Sequence, residues 1–200
     1  MNISIILAHP NPGSFNHAIA GATADSLRQN SHAVILHDLC REQFSPLLPA
    51  AELQKDAKPD PVVGRHCAEI AGTDGIIIVH PNWWGMPPAI LKGWIDRVLR
   101  PEVACRFVEG DNGEGVPVGL LKARAAIVFN TANTPDGREK ECFGDPLETL
   151  WKKCIFDLCG VKHVHRRTFT VVVTSTPGQR ADWLAEAREI VGAHFPASTN

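Results

Sequence analysis

Apolar residues in this chain come in short runs of aliphatic and β-branched side chains, separated by longer stretches in which they recur every three or four positions. Residues 3–8, 75–79 and 125–129 form the clearest runs, each bounded by turn-forming residues and followed by a helical pattern. Runs that are apolar at nearly every position suit strands covered on both faces. Residues 33–39 predict a further strand, and 161–164 and 168–174 predict two more after the third run. Helices are predicted at about 14–29, 63–71, 88–99, 146–158 and 179–194. Ser14 and Asp145 are suitable N-cap residues, Pro146 suits a first helical position, and Gly160 suits a C-terminal stop. Within 88–99, Leu91, Trp94, Ile95 and Val98 share one face and leave Lys92 and Asp96 on another, so the stripe faces a core. Two stretches, 41–61 and 101–119, are rich in Pro, Gly and charge without a period and predict loops or lids.

Strand and helix therefore alternate, and each parallel connection must cross over one face of a sheet. The pattern implies a doubly wound α/β architecture, a parallel sheet wrapped by helices on both sides. Two hundred residues, 44% of them hydrophobic, suffice for one sizeable core, and a single domain over residues 1–200 is expected. A formal charge of −2, with no local block of Lys or Arg, excludes a polyanion-binding surface, so no nucleic acid partner is expected. The first apolar run follows no basic segment, and no run approaches bilayer length. No membrane insertion and a cytoplasmic location are expected. The six cysteines show no CxxC spacing and are expected to be reduced and mostly buried. None of the nine histidines stands in a ligand spacing such as HExxH, so no metal site is expected.

In an open parallel sheet, ligands bind where the carboxyl ends of the strands meet the following loops. Three loops matter most. The first, from His9 to Asn16, leads into a helix whose first backbone N–H groups lack intrahelical acceptors. With Ser14 and Asn16 as added donors it reads as a phosphate cradle, or alternatively as a capped helix after a Pro/Gly turn. Neither GxGxxG nor GxxxxGK[ST] occurs, so the dinucleotide fingerprint and the Walker loop are both missing. The second loop, His80-Pro81-Asn82-Trp83-Trp84-Gly85-Met86-Pro87-Pro88, sets adjacent tryptophans between prolines at a strand end. Such aromatics either flank a flat ring system or pack in the core. The third loop, Thr131-Ala132-Asn133-Thr134-Pro135-Asp136-Gly137, offers hydroxyls and an amide, although turn chemistry accounts for it equally. With no paired carboxylates fixed near these loops and no GxSxG elbow, hydrolysis has little support. Redox work at such a site needs a cofactor.

These motifs resemble the NAD(P)H:quinone oxidoreductase group of flavodoxin-like flavoproteins, over nearly the whole chain. The resemblance rests on His9-Pro10 followed by Ser14-Phe15-Asn16, and above all on Pro81-Asn82-Trp83-Trp84-Gly85 followed by Pro88-Ala89-Ile90-Leu91-Lys92-Gly93-Trp94-Ile95-Asp96-Arg97-Val98. Gly119-Leu120-Leu121-Lys122 and then Thr131 to Thr134 fall in family order. It implies a flavodoxin-like sandwich around a five-stranded parallel sheet, with hydride passing from NAD(P)H through bound flavin to a quinone or similar small acceptor. It further implies that His9, Ser14, Phe15 and Asn16 lie at the flavin phosphate. Pro81, Asn82, Trp83, Trp84 and Gly85 then border the ring, and Thr131, Ala132, Asn133 and Thr134 meet its edge. FMN is implied over FAD because the C-terminal extension of the longer relatives is missing, and a homodimer is implied with flavin at the interface, to which the Trp94 helix contributes. The better-known members carry a tyrosine and a histidine after the third loop. This chain has no tyrosine, and the corresponding stretch, 138–144, carries over no catalytic side chain. That departure keeps open an electron carrier or an ancillary redox-sensing subunit.

Overall fold

The computed structural model describes residues 1–54, 57–109 and 115–197. Strand β1 (Asn2–Leu7) leads through a loop into helix α1 (Phe15–Gln29), and β2 (Ala33–Asp38) follows. Next come α2 (Pro61–Gly72), β3 (Gly75–Pro81), α3 (Ala89–Val98) and the strands β4 (Cys105–Glu109) and β5 (Gly115–Gly119). The chain continues with β6 (Ala125–Thr131), α4 (Asp136–Phe143) and the short α5 (Pro146–Thr149), which runs on as a wider π-helical stretch, Leu150–Asp157. It closes with β7 (Val164–Phe169) and α6 (Pro177–His194). Five strands form an all-parallel sheet in the order β2-β1-β3-β6-β7, as the alternation of elements predicts.

The two-residue period of the strands divides the core between the two faces. Ile3, Ile5, Leu7, Ile77, Val79, Ile127 and Phe129 pack beneath α1 and α6. Ile6, Ile76, Ile78, Ala126 and Val128 lie on the opposite face, under α2, α3 and the α5 region. Leu91, Trp94 and Val98 of α3 are buried there and Ile95 packs against them, as their spacing predicts. All seven residues of β3 and of β6 are buried, so the central strands are covered on both sides.

Several boundaries differ from the sequence expectation. The stretch 101–119 contains an antiparallel pair, β4 with β5, rather than an unstructured lid. The strands expected at 161–164 and 168–174 are replaced by the single β7, with Arg166 and Arg167 at its centre. Those charged residues hide the strand from a hydrophobic pattern because β7 is an edge strand whose arginines are paired through side chains. Asp145 does not cap its helix; its backbone is left-handed (φ 46°) and its carboxylate goes to Arg166. Instead Asp60 caps α2, accepting from Val62 N and Val63 N at 3.0 Å each, and the helix starts at Pro61.

The loop across 41–61 is mostly irregular, as expected, yet it is fastened to α3. Arg97 is 2% exposed and donates to Glu52 and Asp60 at 2.5 Å and to the Ser45 carbonyl at 2.7 Å. A Cβ on Gly93 would fall 2.2 Å from the carbonyl oxygen of Pro46, so only glycine admits this approach of loop to helix. The cysteines are all free; Cys67, Cys105 and Cys159 are buried, while Cys142 and Cys154 are exposed.

Candidate functional site

The strand order reverses between β1 and β3, where the chain leaves β1 toward β2 on one side and enters β3 on the other. A crevice opens outside the carboxyl ends of the strands at such a point. The three loops converge there. Asn16, 2% exposed, donates Nδ2–H to Thr131 Oγ1 at 2.9 Å, and Asn82 N donates to the Thr131 carbonyl at 2.7 Å. The first, second and third loops thus share Thr131 as a hub. Among the described residues Asn16 Oδ1 is buried without a partner.

In the first loop Asn11 Oδ1 accepts from Gly13 N at 2.9 Å, and His9 Nδ1 accepts from Asn11 N at 3.1 Å. Burial lowers the His9 pKa, so its ring favours the neutral form, which also accepts the Asn11 N–H. Ser14 caps α1, its Oγ accepting from His17 N. That hydroxyl also lies 2.9 Å from His17 Nδ1, and His17 Nε2 lies 3.0 Å from Asp38 Oδ2. Phe15 turns away from the crevice, its ring 6.0 Å from that of Phe169 and 5.7 Å from that of Trp183. The side chains of Phe15 and Asn16 therefore brace the loop, leaving their backbone N–H groups at the helix start.

The second loop is a tight turn. Trp83 N and Met86 N each donate to the other's carbonyl at 3.0 Å, with Trp84 (φ 57°) and Gly85 (φ 72°) both left-handed between them. Asn82 Oδ1 braces it by accepting from Gly85 N at 2.9 Å. A Cβ on Gly85 would meet Pro146 Cγ at 2.8 Å, so the turn rests directly on the start of α5. Trp84 is wholly exposed and Trp83 is 44% exposed, which disposes of the core-packing alternative for both. A bulky residue held at positive φ costs roughly 1–2 kcal/mol, and such strain concentrates at functional sites.

In the third loop Thr131 and Ala132 are buried, while Asn133 is exposed and accepts from Val173 N at 3.0 Å. Thr134 is half-buried and leads into α4, which the sequence reading did not anticipate because its residues are nearly all polar. Its one buried side chain, Glu139, accepts from Asn82 Nδ2 at 2.9 Å and so props the tryptophan turn.

Beneath the crest lies a polar network. His80 is fully buried, and its Nε2 faces two donors, Trp151 Nε1 at 2.9 Å and Asn130 Nδ2 at 2.8 Å. Nε2 must accept, so the proton sits on Nδ1 and is donated to the Pro81 carbonyl at 2.8 Å. Burial lowers the His80 pKa to about 4. Asn130 Oδ1 in turn accepts from Arg166 at 3.1 Å. Sequence spacing gave no sign of this chain, whose members come from β3, β6, the π-helical stretch and β7.

A crest with an open helix start, a strained aromatic turn and hydroxyl-bearing edge can take an anionic group at one end and a flat ring at the other. The family model for the flavodoxin-like fold matches residues 1–195. An uncharacterized NAD(P)H oxidoreductase of Haemophilus influenzae is 36% identical over 177 residues, 84% of this chain and 83% of that protein. Mouse ribosyldihydronicotinamide dehydrogenase [quinone] is 27% identical across 80% of this chain and 77% of its own. A solved structure, the NAD(P)H:quinone oxidoreductase from Methanothermobacter marburgensis, shares the fold with a TM-score of 0.81 at 23% identity, over 96% of this chain and 95% of that one. The chain belongs to the flavodoxin-like fold family.

Proposed function

We propose that this protein is a flavin-dependent oxidoreductase carrying a hydride from NAD(P)H to a quinone or similar small acceptor. The reading includes FMN as cofactor, a homodimer and a cytoplasmic setting, with residues 1–200 acting as one domain. The observation that carries it is the tryptophan turn, where Trp84 stands fully exposed on strained backbone at the switch point, with no partner among the described residues. Core packing does not account for it, and a planar ligand is what an exposed, rigidly mounted indole serves.

The residues fit a flavin. Backbone N–H groups of Phe15 and Asn16 with Ser14 Oγ would hold its phosphate, at the positive end of the α1 dipole. His9 would stand with them at the phosphate, Pro81, Asn82, Trp83, Trp84 and Gly85 would border the ring, and Thr131, Ala132, Asn133 and Thr134 would meet its polar edge. The chemistry a bound flavin would supply is hydride transfer between two substrates. The protein's part is positioning. Asn16, Thr131 and Asn82 lock the loops together, and Glu139 and Pro146 fix the turn. His17 aims the Ser14 hydroxyl: its Nε2–H faces Asp38 and its Nδ1 takes the Ser14 hydroxyl hydrogen. Exposed Val108, Val116 and Val118 share one face of the β4–β5 pair and support the homodimer, since together they leave an apolar strip uncovered, while Phe107 is exposed on the other face.

The visible spectrum of the purified protein with FMN or FAD, before and after anaerobic NADH or NADPH, tests the reading. FMN binding followed by rapid bleaching, with turnover of a quinone, is expected. Failure to bind either flavin overturns it, and binding without turnover would assign the chain to electron carriers or ancillary subunits. The variant Trp84→Gly should gain about 1 kcal/mol of stability by relieving the left-handed strain while losing about tenfold in flavin affinity.

A further inference from the structure

Beyond the third loop, β7, α4 and the α5 region line an open cavity of about 690 Å³. It lies one strand over from that loop. Thr131 pairs with Phe169, and Ala132 N donates to the Phe169 carbonyl at 2.9 Å. Thr168 and Thr170, on either side of Phe169, line the cavity. The volume falls within the range of small-molecule sites, and its lining borders the flavin site, Asp136 standing near the end of the third loop and Arg166 reaching Asn130.

Its lining differs from the aromatic crest. Lys140 and Lys152 bring positive charge from α4 and the π-helical stretch, while Asp136, Asp145 and Glu148 bring carboxylates. Arg166 is the fixed centre, its side chain 7% exposed and bonded to Glu148 at 2.8 Å, Thr168 at 2.9 Å, Asn130 at 3.1 Å and Asp145. Burial pushes the Glu148 carboxyl up, but the bonds from Arg166 and Lys152 outweigh it and hold the group below its ordinary value, so it is an ionised acceptor. Asp145 sits on left-handed backbone, and its Oδ1 is buried without a partner. That oxygen has no donor among the described residues and is itself sealed from solvent, so the carboxylates open to a ligand are those of Asp136 and Glu148, 60% and 42% exposed. The two lysines are 61% and 37% exposed and paired within one helical turn to Asp136 and Glu148, so their ammonium groups are cheaply redirected.

A ligand for this lining must bring anionic oxygen to the lysines and hydroxyl donors to the carboxylates. The adenosine-diphosphate portion of a nicotinamide dinucleotide carries both, as a pyrophosphate and ribose hydroxyls, and acceptance of ribose hydroxyls by a carboxylate is a recurrent dinucleotide contact. We propose that this cavity binds the adenosine-diphosphate portion of NAD(P)H while the nicotinamide reaches past Thr134 to the crest. The inference rests on the reading of the chain as an NAD(P)H oxidoreductase. It explains how a chain without GxGxxG holds a dinucleotide: side chains, not a glycine-rich turn, supply the contacts.

The test compares two hydride donors on the flavin-loaded protein, NADH and a dihydronicotinamide riboside that lacks the adenosine diphosphate. Lys152→Glu and Lys140→Glu are exposed enough to leave folding intact. Each should raise the ratio of KM for NADH to KM for the riboside about tenfold, the loss of one charge-assisted contact. ADP-ribose should compete with NADH in the parent protein, and about tenfold more weakly in Lys152→Glu. An unchanged KM ratio, or ADP-ribose that fails to compete, overturns the cavity assignment even while both donors still bleach the flavin. If neither donor bleaches it, the oxidoreductase reading itself falls and the inference with it.

Discussion

Two buried histidines in this fold each receive an indole N–H, and they behave as opposites. His80 takes its bond from Trp151 on Nε2 and sends its own proton to a neutral carbonyl. His66 takes its bond from Trp94 on Nδ1, at 3.1 Å, and its Nε2 faces Glu42 Oε2 at 3.3 Å. Beside it His37 has a carboxylate at each nitrogen, Glu42 at 3.0 Å and Glu69 at 2.6 Å. The set His37, Glu42 and His66 is close enough to hold a metal ion, an arrangement that no sequence spacing revealed. Trp94 argues against that use: its N–H occupies His66 Nδ1, so the proton must stay on Nε2, the atom that would coordinate. One pair is sealed in neutral surroundings beneath the candidate site, whereas the other is a proton-holding group between β2, α2 and α3. The lesson is that an indole donor fixes a tautomer, and what faces the remaining nitrogen decides whether the imidazole is silent or part of a charge network.

The largest expected effect comes from breaking the sealed pair. His80→Phe leaves the Trp151 N–H, an Asn130 N–H and the Pro81 carbonyl unpaired in a site with no access to water, and should cost about 4 kcal/mol in urea unfolding. His66→Phe, with Glu42 partly solvated, should cost about half as much. Equal losses would erase the distinction. Acid sharpens it next. His80 has a folded pKa near 4, below its unfolded value of 6.5, so the unfolded chain binds the extra proton. Stability is complete above pH 6.5 and falls by about 3 kcal/mol as the pH drops toward 4. Unfolding free energies at pH 7.5 and 4.5 should show this slope, and His80→Phe should flatten it; an unchanged slope in the variant would falsify the assignment. Smallest is Trp94→Phe, costing about 1 kcal/mol. Burial and neighbouring His37 lower the His66 pKa, and without the indole N–H its Nδ1 becomes free to take a proton. Its imidazole proton resonances should then titrate at higher pH, whereas His80, far along the sheet, should not respond.

The sheet was legible because β1, β3 and β6 are apolar at almost every position, a pattern that only a doubly covered strand tolerates. The positions of the three loops followed from it. What escaped were elements stabilised by pairing rather than by burial of apolar surface: β7, whose arginines are satisfied across strands and helices, and α4, whose one buried side chain is a glutamate. Asp145 read as a cap because its residue type suits one, but Arg166 draws its carboxylate elsewhere. Phe15 and Asn16 were placed at the right loop, yet their side chains point into the scaffold, a distinction that depends on partners 115 or more residues away, Thr131 and Phe169. The histidine networks join three or four elements each, so no local spacing contains them.

The tryptophan turn also equips the molecule with its own optical reporter. Of five indoles, Trp94 and Trp151 are sealed in the core, and Trp84 alone is completely open to water. Iodide added to the solution should dim the red-shifted emission of Trp84 first while the two core indoles go on shining undisturbed. A chromophore settling over the crest would shade that same lamp, so occupancy can be followed by fluorescence without attaching any dye.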